Sequence, residues 1–183
     1  MRGSFRTALR HRRIPAGVSW IITNRCNLRC VYCACPDIKV RELDTEQALD
    51  VIDEMAEMGT ARVHLTGGEP LVRKDVTKLI QRLRFHAMDV SMSSNGTLVP
   101  RRKKVLRDLR SVSLSLDGPP AVHDSNRAEG QVEEVLAALA TLGDIGVTRY
   151  LTCLVTRTTT NECLDFVVKV ASDYGAEVFF QPA

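Results

Sequence analysis

The sequence has no long apolar run: nothing in it approaches the roughly 18 residues a membrane span requires, so no membrane partner is expected. No secretory leader is expected either. Arg2, Arg6, Arg10, Arg12 and Arg13 make the start basic, but no apolar stretch follows before Pro15. The chain is therefore expected to stay in the cytoplasm. Net charge is also small, +3, with lysines and arginines spread among acidic residues. Nucleic-acid binding normally needs a strongly basic face or stripe, so no nucleic-acid partner is expected. Low-complexity segments, an evident linker and internal repeats are absent, which leaves a single domain over residues 16–183. Residues 1–15 form a basic extension, either solvated or touching an acidic partner. With 44% hydrophobic and 26% charged residues, the chain is an ordinary globular sequence, long enough to bury a core.

Cysteine is not scarce, and its placement is uneven. Four of the six (Cys26, Cys30, Cys33 and Cys35) fall within ten residues, while Cys153 and Cys163 stand apart. A disulfide scaffold would be smaller and would not crowd its cysteines in this way. In a chain without an export signal the cluster points to metal binding or redox chemistry.

Short β-branched runs alternate with amphipathic segments. Strands are expected at 18–23, 62–66, 89–94, 111–117, 147–156 and 177–181, with helices at 45–58, 74–85, 100–109, 131–142 and 161–174. The first helix carries Ala48, Leu49, Ile52, Met55 and Ala56 on one face, with Asp44 or Thr45 as N-cap and Gly59 beyond its end. Alternation of this kind implies right-handed crossovers and a mainly parallel sheet. Within the fourth strand Val112, Leu114 and Leu116 face one way and Ser113, Ser115 and Asp117 the other. The second strand repeats this, with Val63 and Leu65 opposite His64 and Thr66. A strand sandwiched between two helical layers would be apolar on both faces. One polar face fits a barrel with helices outside and a polar lumen, the doubly wound sheet being the alternative.

The segment Cys26-Asn-Leu-Arg-Cys30-Val-Tyr-Cys33 directly follows the first strand. Three thiolates at this spacing can wrap one side of a cubane cluster from a single loop. Iron–sulfur clusters generally take four cysteines, so three leave one iron open, as catalysis at a metal requires. A structural zinc site would want a fourth ligand; Cys35 is the nearest, cramped by its closeness to Cys33. Zinc and plain buried thiols therefore remain open on spacing alone.

Further motifs stand at the ends of the next strands: Thr66-Gly67-Gly68-Glu69-Pro70, then Ser93-Ser94-Asn95-Gly96, then Ser113-Leu-Ser115-Leu-Asp117-Gly118. With the cysteine motif and Tyr32 before its last cysteine, the sequence resembles the radical S-adenosylmethionine (radical SAM) superfamily from about Val18 onward. It is nearest to the peptide-modifying and cofactor-maturing, SPASM-like branch, through its Ser-Leu-Asp-Gly-Pro-Pro run and the stretch 123–127. The cyclase branch of molybdenum-cofactor synthesis is the other possibility. The resemblance implies an α/β fold, a partial (β/α)6 TIM-like barrel of parallel strands with its site at their C-terminal ends. It implies a [4Fe-4S] cluster on Cys26, Cys30 and Cys33, with S-adenosylmethionine on the fourth iron. Reductive cleavage would then give a 5′-deoxyadenosyl radical that takes hydrogen from a peptide or cofactor-precursor substrate. A reductant such as flavodoxin or ferredoxin would serve as electron donor.

The same resemblance gives the cofactor-binding candidates Gly67, Gly68, Glu69, Pro70, Asn95, Ser115, Asp117 and Arg127. The glycines would let backbone carbonyls approach the ligand, and Glu69 or those carbonyls would accept from its ammonium. Ser115 and Asp117 would bind ribose hydroxyls or the carboxylate, and Arg127 would steady the carboxylate or lie at the surface. Asn95 stands beside the site or in a plain Asn-Gly turn. Thr156 and Asn161 flank the adenine side, Asn161 alternatively capping a helix. His64 is expected to be a satisfied core histidine, Cys153 and Cys163 core residues, and Cys35 a bystander. The chain stops soon after its sixth strand, before the helix that would close the barrel, so it reads as truncated or completed by a partner over the last strand's edge. Two readings without turnover stay open: a domain that binds cluster and cofactor only, and a metal-bearing interaction module.

Overall fold

The computed structural model describes residues 15–182; the basic extension expected at 1–15 lies almost wholly outside them. Six strands are present: β1 (Gly17–Thr23), β2 (Arg62–Gly67), β3 (Asp89–Ser94), β4 (Ser111–Ser115), β5 (Thr148–Val155) and β6 (Glu177–Pro182). Between them run α1 (Thr45–Met58), α2 (Val76–Phe85), α3 (Val99–Leu106), α4 (Pro120–Asn126), α5 (Gln131–Asp144) and α6 (Asn161–Tyr174). The strands pair in chain order, each parallel to the next. This is the partial TIM-like barrel, and the doubly wound order is excluded because the sheet never reverses direction of addition.

Alternation along each strand sorts the two faces. Val63, Leu65, Val90, Met92, Val112, Leu114, Leu151 and Cys153 are buried outward against the helices, in one core with Ile52, Leu79, Ile80, Leu83 and Leu139. Each fully buried Leu or Ile there contributes about 1.5–3 kcal/mol relative to exposure. His64, Ser91, Ser93, Ser113, Tyr150 and Thr152 point the other way, half-buried, into the lumen. Asp44 caps α1: its side chain accepts from the Gln47 amide, Gln47 returns the bond, and Gly59 closes the other end in the left-handed region.

Three local expectations need correction. The stretch 120–126, where no helix was expected, is α4: Pro120 opens it from the first helical turn, where a missing N–H costs nothing. Asn161 is the first residue of α6 rather than its cap; the Thr160 side chain accepts from the Cys163 amide instead. β4 ends at Ser115, leaving Leu116 and Asp117 beyond the strand.

Candidate active site at the strand ends

The loop after β1 carries Cys26, Cys30 and Cys33, the first two half-buried and the third exposed. Glu42 staples its base: Thr23 Oγ1 and the Asn24 amide donate to one carboxylate oxygen at 2.6 and 3.0 Å, and Arg25 pairs with the other at 3.1 Å. Burial opposes the charge on Glu42, but these donors outweigh it and hold its carboxyl below the ordinary range. Arg73, with a buried side chain, donates to the Ile22 and Leu43 carbonyls at 2.6 and 2.9 Å and pairs with Asp75, tying both ends of the loop to the start of α2. Across the loop the Val31 amide donates to the Asn126 carbonyl at 2.9 Å.

Gly67 and Gly68 meet this loop backbone to backbone. The Gly68 amide donates to the Thr23 carbonyl and the Glu69 amide to that of Arg25, both at 2.9 Å. A Cβ on Gly67 would stand 2.1 Å from the Thr23 oxygen, and one on Gly68 2.4 Å from that of Arg25. The requirement for glycine thus comes first from the adjoining backbone, beyond any approach of a ligand to the carbonyls. Gly68→Ala should therefore destabilise the fold by about 1–3 kcal/mol, since the obstructing atoms are main chain. Gly17→Ala, whose Cβ meets Arg62 no closer than 3.8 Å, should leave the urea midpoint unchanged.

Glu69 sits where the motif places it, but its carboxylate faces inward and is fully buried. It accepts from the Leu71 amide at 3.0 Å, the Asn95 amide at 2.7 Å and Ser94 Oγ at 3.1 Å. Burial pushes its carboxyl upward against these donors. With its carboxylate bonded inside the fold, Glu69 joins the end of β2 to that of β3. Pro70 starts the short 3-10 turn that follows and is buried. The Asn95 side chain donates to Asn27 Oδ1 at 2.9 Å and to Cys26 Sγ at 3.8 Å, placing it against the cysteine loop.

Asp117 organises the opposite wall. Its carboxylate accepts from Tyr32 Oη at 2.6 Å, Arg127 Nε at 2.8 Å and the Leu154 amide at 3.2 Å. Arg127 also lies over the Tyr32 ring, 5.6 Å from its centre. The carboxylate is thus committed to protein partners, and Arg127 and Ser115 are the groups that face the cavity. The spacing left this clasp unseen, because Tyr32 and Asp117 are 85 residues apart. Burial alone would raise the Asp117 carboxyl, but His123, Arg127 and the Tyr32 hydroxyl hold it well below the ordinary range. A depressed carboxyl contributes stability that is full above the unfolded value near 3.9 and is lost as pH falls through the folded value. Acid titration followed by circular dichroism should show stability declining below about pH 4, with a shallower decline in Asp117→Asn.

These walls enclose a cavity of about 350 Å³ lined by Cys26, Cys30, Cys33, Gly67, Gly68, Asn95, Ser115 and Arg127. Thr156 instead closes a threonine turn with Thr158 and Thr159. Cys153 and Cys163 are buried in the core, and Cys35 Sγ turns toward Asn24, 3.7 Å from its side-chain oxygen. Cys26, Cys30 and Cys33 line one cavity together, a set of three thiol donors that fits a multi-iron body. Burial pushes the Cys26 and Cys30 thiols upward, so a bound cation is what would keep them deprotonated.

Residues 20–170 match the radical SAM superfamily. The chain belongs to that superfamily. Among radical SAM relatives, the mycofactocin maturase MftC of Mycolicibacterium smegmatis is 36% identical over 169 residues, covering 88% of this chain and 43% of the maturase. Fe-coproporphyrin III synthase of Methanosarcina barkeri is 36% identical over 137 residues, covering 71% of this chain and 34% of the synthase. SuiB of Streptococcus suis, in its structure bound to the precursor peptide SuiA, superposes with a TM-score of 0.81 at 14% identity, over 92% of this chain and 39% of SuiB. The radical SAM chain described here thus spans less than half the length of these relatives. Among its described residues no helix is long and apolar enough to cross a membrane.

Proposed function

We propose that the chain is the core of a cytoplasmic radical SAM enzyme acting on a peptide, with a cofactor precursor as the other substrate class. The observation that carries this is the single cavity that brings Cys26, Cys30 and Cys33 together with Gly67, Gly68, Ser115 and Arg127. A maturase among its relatives and a precursor peptide on SuiB support the peptide. When bound, a [4Fe-4S] cluster and S-adenosylmethionine supply reductive carbon–sulfur cleavage, and so a carbon radical able to take hydrogen. Cys26, Cys30 and Cys33 are the thiolates that hold the metal, and Asn95 donates to the first of them. The Gly67 and Gly68 carbonyls accept from the ligand's ammonium. Arg127, fixed by Asp117 and Tyr32, faces its carboxylate. Ser115 hydrogen-bonds the sugar.

Cys33 and Val31 are exposed on the cysteine loop, which offers a docking point for a flavodoxin or ferredoxin reductant. Exposed Phe179 and Phe180 on β6 suit a partner or further chain over that edge. A second reading follows from the chain's covering 43% of the maturase: residues 16–183 bind cluster and cofactor, and turnover needs more chain. Anaerobic reconstitution separates these. Iron and sulfide near four per chain with 5′-deoxyadenosine on reduction supports the first, and cluster without cleavage the second. One zinc per chain and no iron sinks both, leaving an interaction module.

A further inference from the structure

Below the cofactor cavity the barrel holds a second space of about 460 Å³. The two share Ser93, Thr152 and Gln181 as wall residues, so a group in one lies against the other. Strand register builds the lower space in tiers: His64 is level with Ser91, Ser93 with Ser113, and Ser113 with Tyr150. Among the described residues that line it, none is Asp, Glu, Lys or Arg.

The hydrogen bonds inside this lumen define what it can still offer. His64 Nδ1 lies 2.8 Å from Ser91 Oγ, and its Nε2 lies 2.8 Å from Ser93 Oγ. Burial depresses its basicity, so the ring is neutral near pH 7, with one N–H and one lone pair. One serine therefore donates into the ring. The other accepts from it and keeps a free O–H. The Ser113–Thr152 pair, 2.7 Å apart, likewise uses one O–H internally and leaves one free. These two groups thus present two unspent donors together with hydroxyl lone pairs, and Ser111, Tyr150 and Gln181 add further uncharged polar groups with no countercharge. A carboxylate or ammonium placed there would be desolvated without a partner. An aliphatic group would cover hydroxyls that then lose water.

We propose that this lumen is the specificity subsite for the substrate, and that it takes an uncharged side chain bearing a hydroxyl or carboxamide. The proposal rests on the reading of the chain as a peptide-acting enzyme and names the side-chain class that reading leaves open. His64, Ser93, Ser113 and Thr152 are its recognition groups, and Tyr150, tilted against Phe179 with ring centres 5.2 Å apart, is its aromatic wall.

The test needs no turnover. The chain, labelled at its histidine rings, is titrated by NMR with capped tripeptides Ala-X-Ala, where X is Gln, Glu, Thr, Val or Lys. His64→Phe assigns the signal. The Gln and Thr peptides are expected to shift the His64 resonances with at least tenfold tighter apparent affinity than Glu, Val and Lys. His64→Phe should abolish that preference as read from backbone amide shifts; Ser113→Ala, a smaller change, should weaken it if His64→Phe fails to fold. Equal or tighter binding of the Glu, Val or Lys peptide overturns the proposal, as does a His64 signal that no peptide moves. A chain that discriminates peptides but cleaves no S-adenosylmethionine keeps the subsite and loses the enzymatic reading. A chain that cleaves it while His64 stays blind does the opposite.

Discussion

Cys30→Ala is expected to lose the cluster and with it 5′-deoxyadenosine formation, a fall of about a thousandfold or more. Iron should drop from about four per chain to background. The physical reason is the ligand count. Three thiols stand around the cavity, none is spare, and two are disfavoured as free thiolates by burial. Cys35→Ala is the matched control. Its sulfur turns toward Asn24, outside the cavity lining, so iron content and cleavage should be unchanged. Equal losses from both variants would mean a four-cysteine site, and the open iron would go with it.

The second large effect is expected from Asp117→Ala. The carboxylate and Arg127 form an ion pair at 2.8 Å whose side chains are 3% and 10% exposed. Removing the acid leaves a buried guanidinium unpaired, which costs about 3–5 kcal/mol. For a chain of this length that lowers the thermal midpoint by roughly 6–20 °C. The same change frees the Tyr32 hydroxyl and the Leu154 amide, loosening the cysteine loop against β5. Asp117→Asn keeps one acceptor oxygen, enough for the Leu154 amide, and should lose less in differential scanning calorimetry. Both variants should bind S-adenosylmethionine more weakly, because Arg127 depends on Asp117 for its position.

The fold was legible because each strand repeats one physical choice. Val63 and Leu65 against His64 and Thr66, or Leu114 against Ser113 and Ser115, fit helices on one face and a polar lumen on the other better than a strand buried between two helical layers. α4 escaped notice because Pro119-Pro120 reads as a break, although proline at a helix's first turn is a start signal. The site was legible as a set of residues and less so as a set of roles. Gly68 was expected to serve a ligand; its amide donates to the Thr23 carbonyl, and the Arg25 carbonyl leaves no room for a Cβ. Glu69 and Asp117 were expected to offer their carboxylates to the cofactor, and each is hydrogen-bonded by protein partners that local sequence does not reveal. Glu42 and Arg73 gave no signal at all. Glu42 bonds Asn24 18 residues away and Arg73 bonds Ile22 51 residues away, and a charged residue between elements looks the same whether it is solvated or a staple.

The central claim is that Cys26, Cys30 and Cys33 hold a cluster with one iron open to S-adenosylmethionine. Electron paramagnetic resonance of the reconstituted, dithionite-reduced chain tests it directly. The account predicts a reduced-cluster signal that changes shape on adding S-adenosylmethionine, with Cys30→Ala giving no cluster signal. A cluster spectrum indifferent to S-adenosylmethionine, or no cluster at all in the unsubstituted chain, would contradict it.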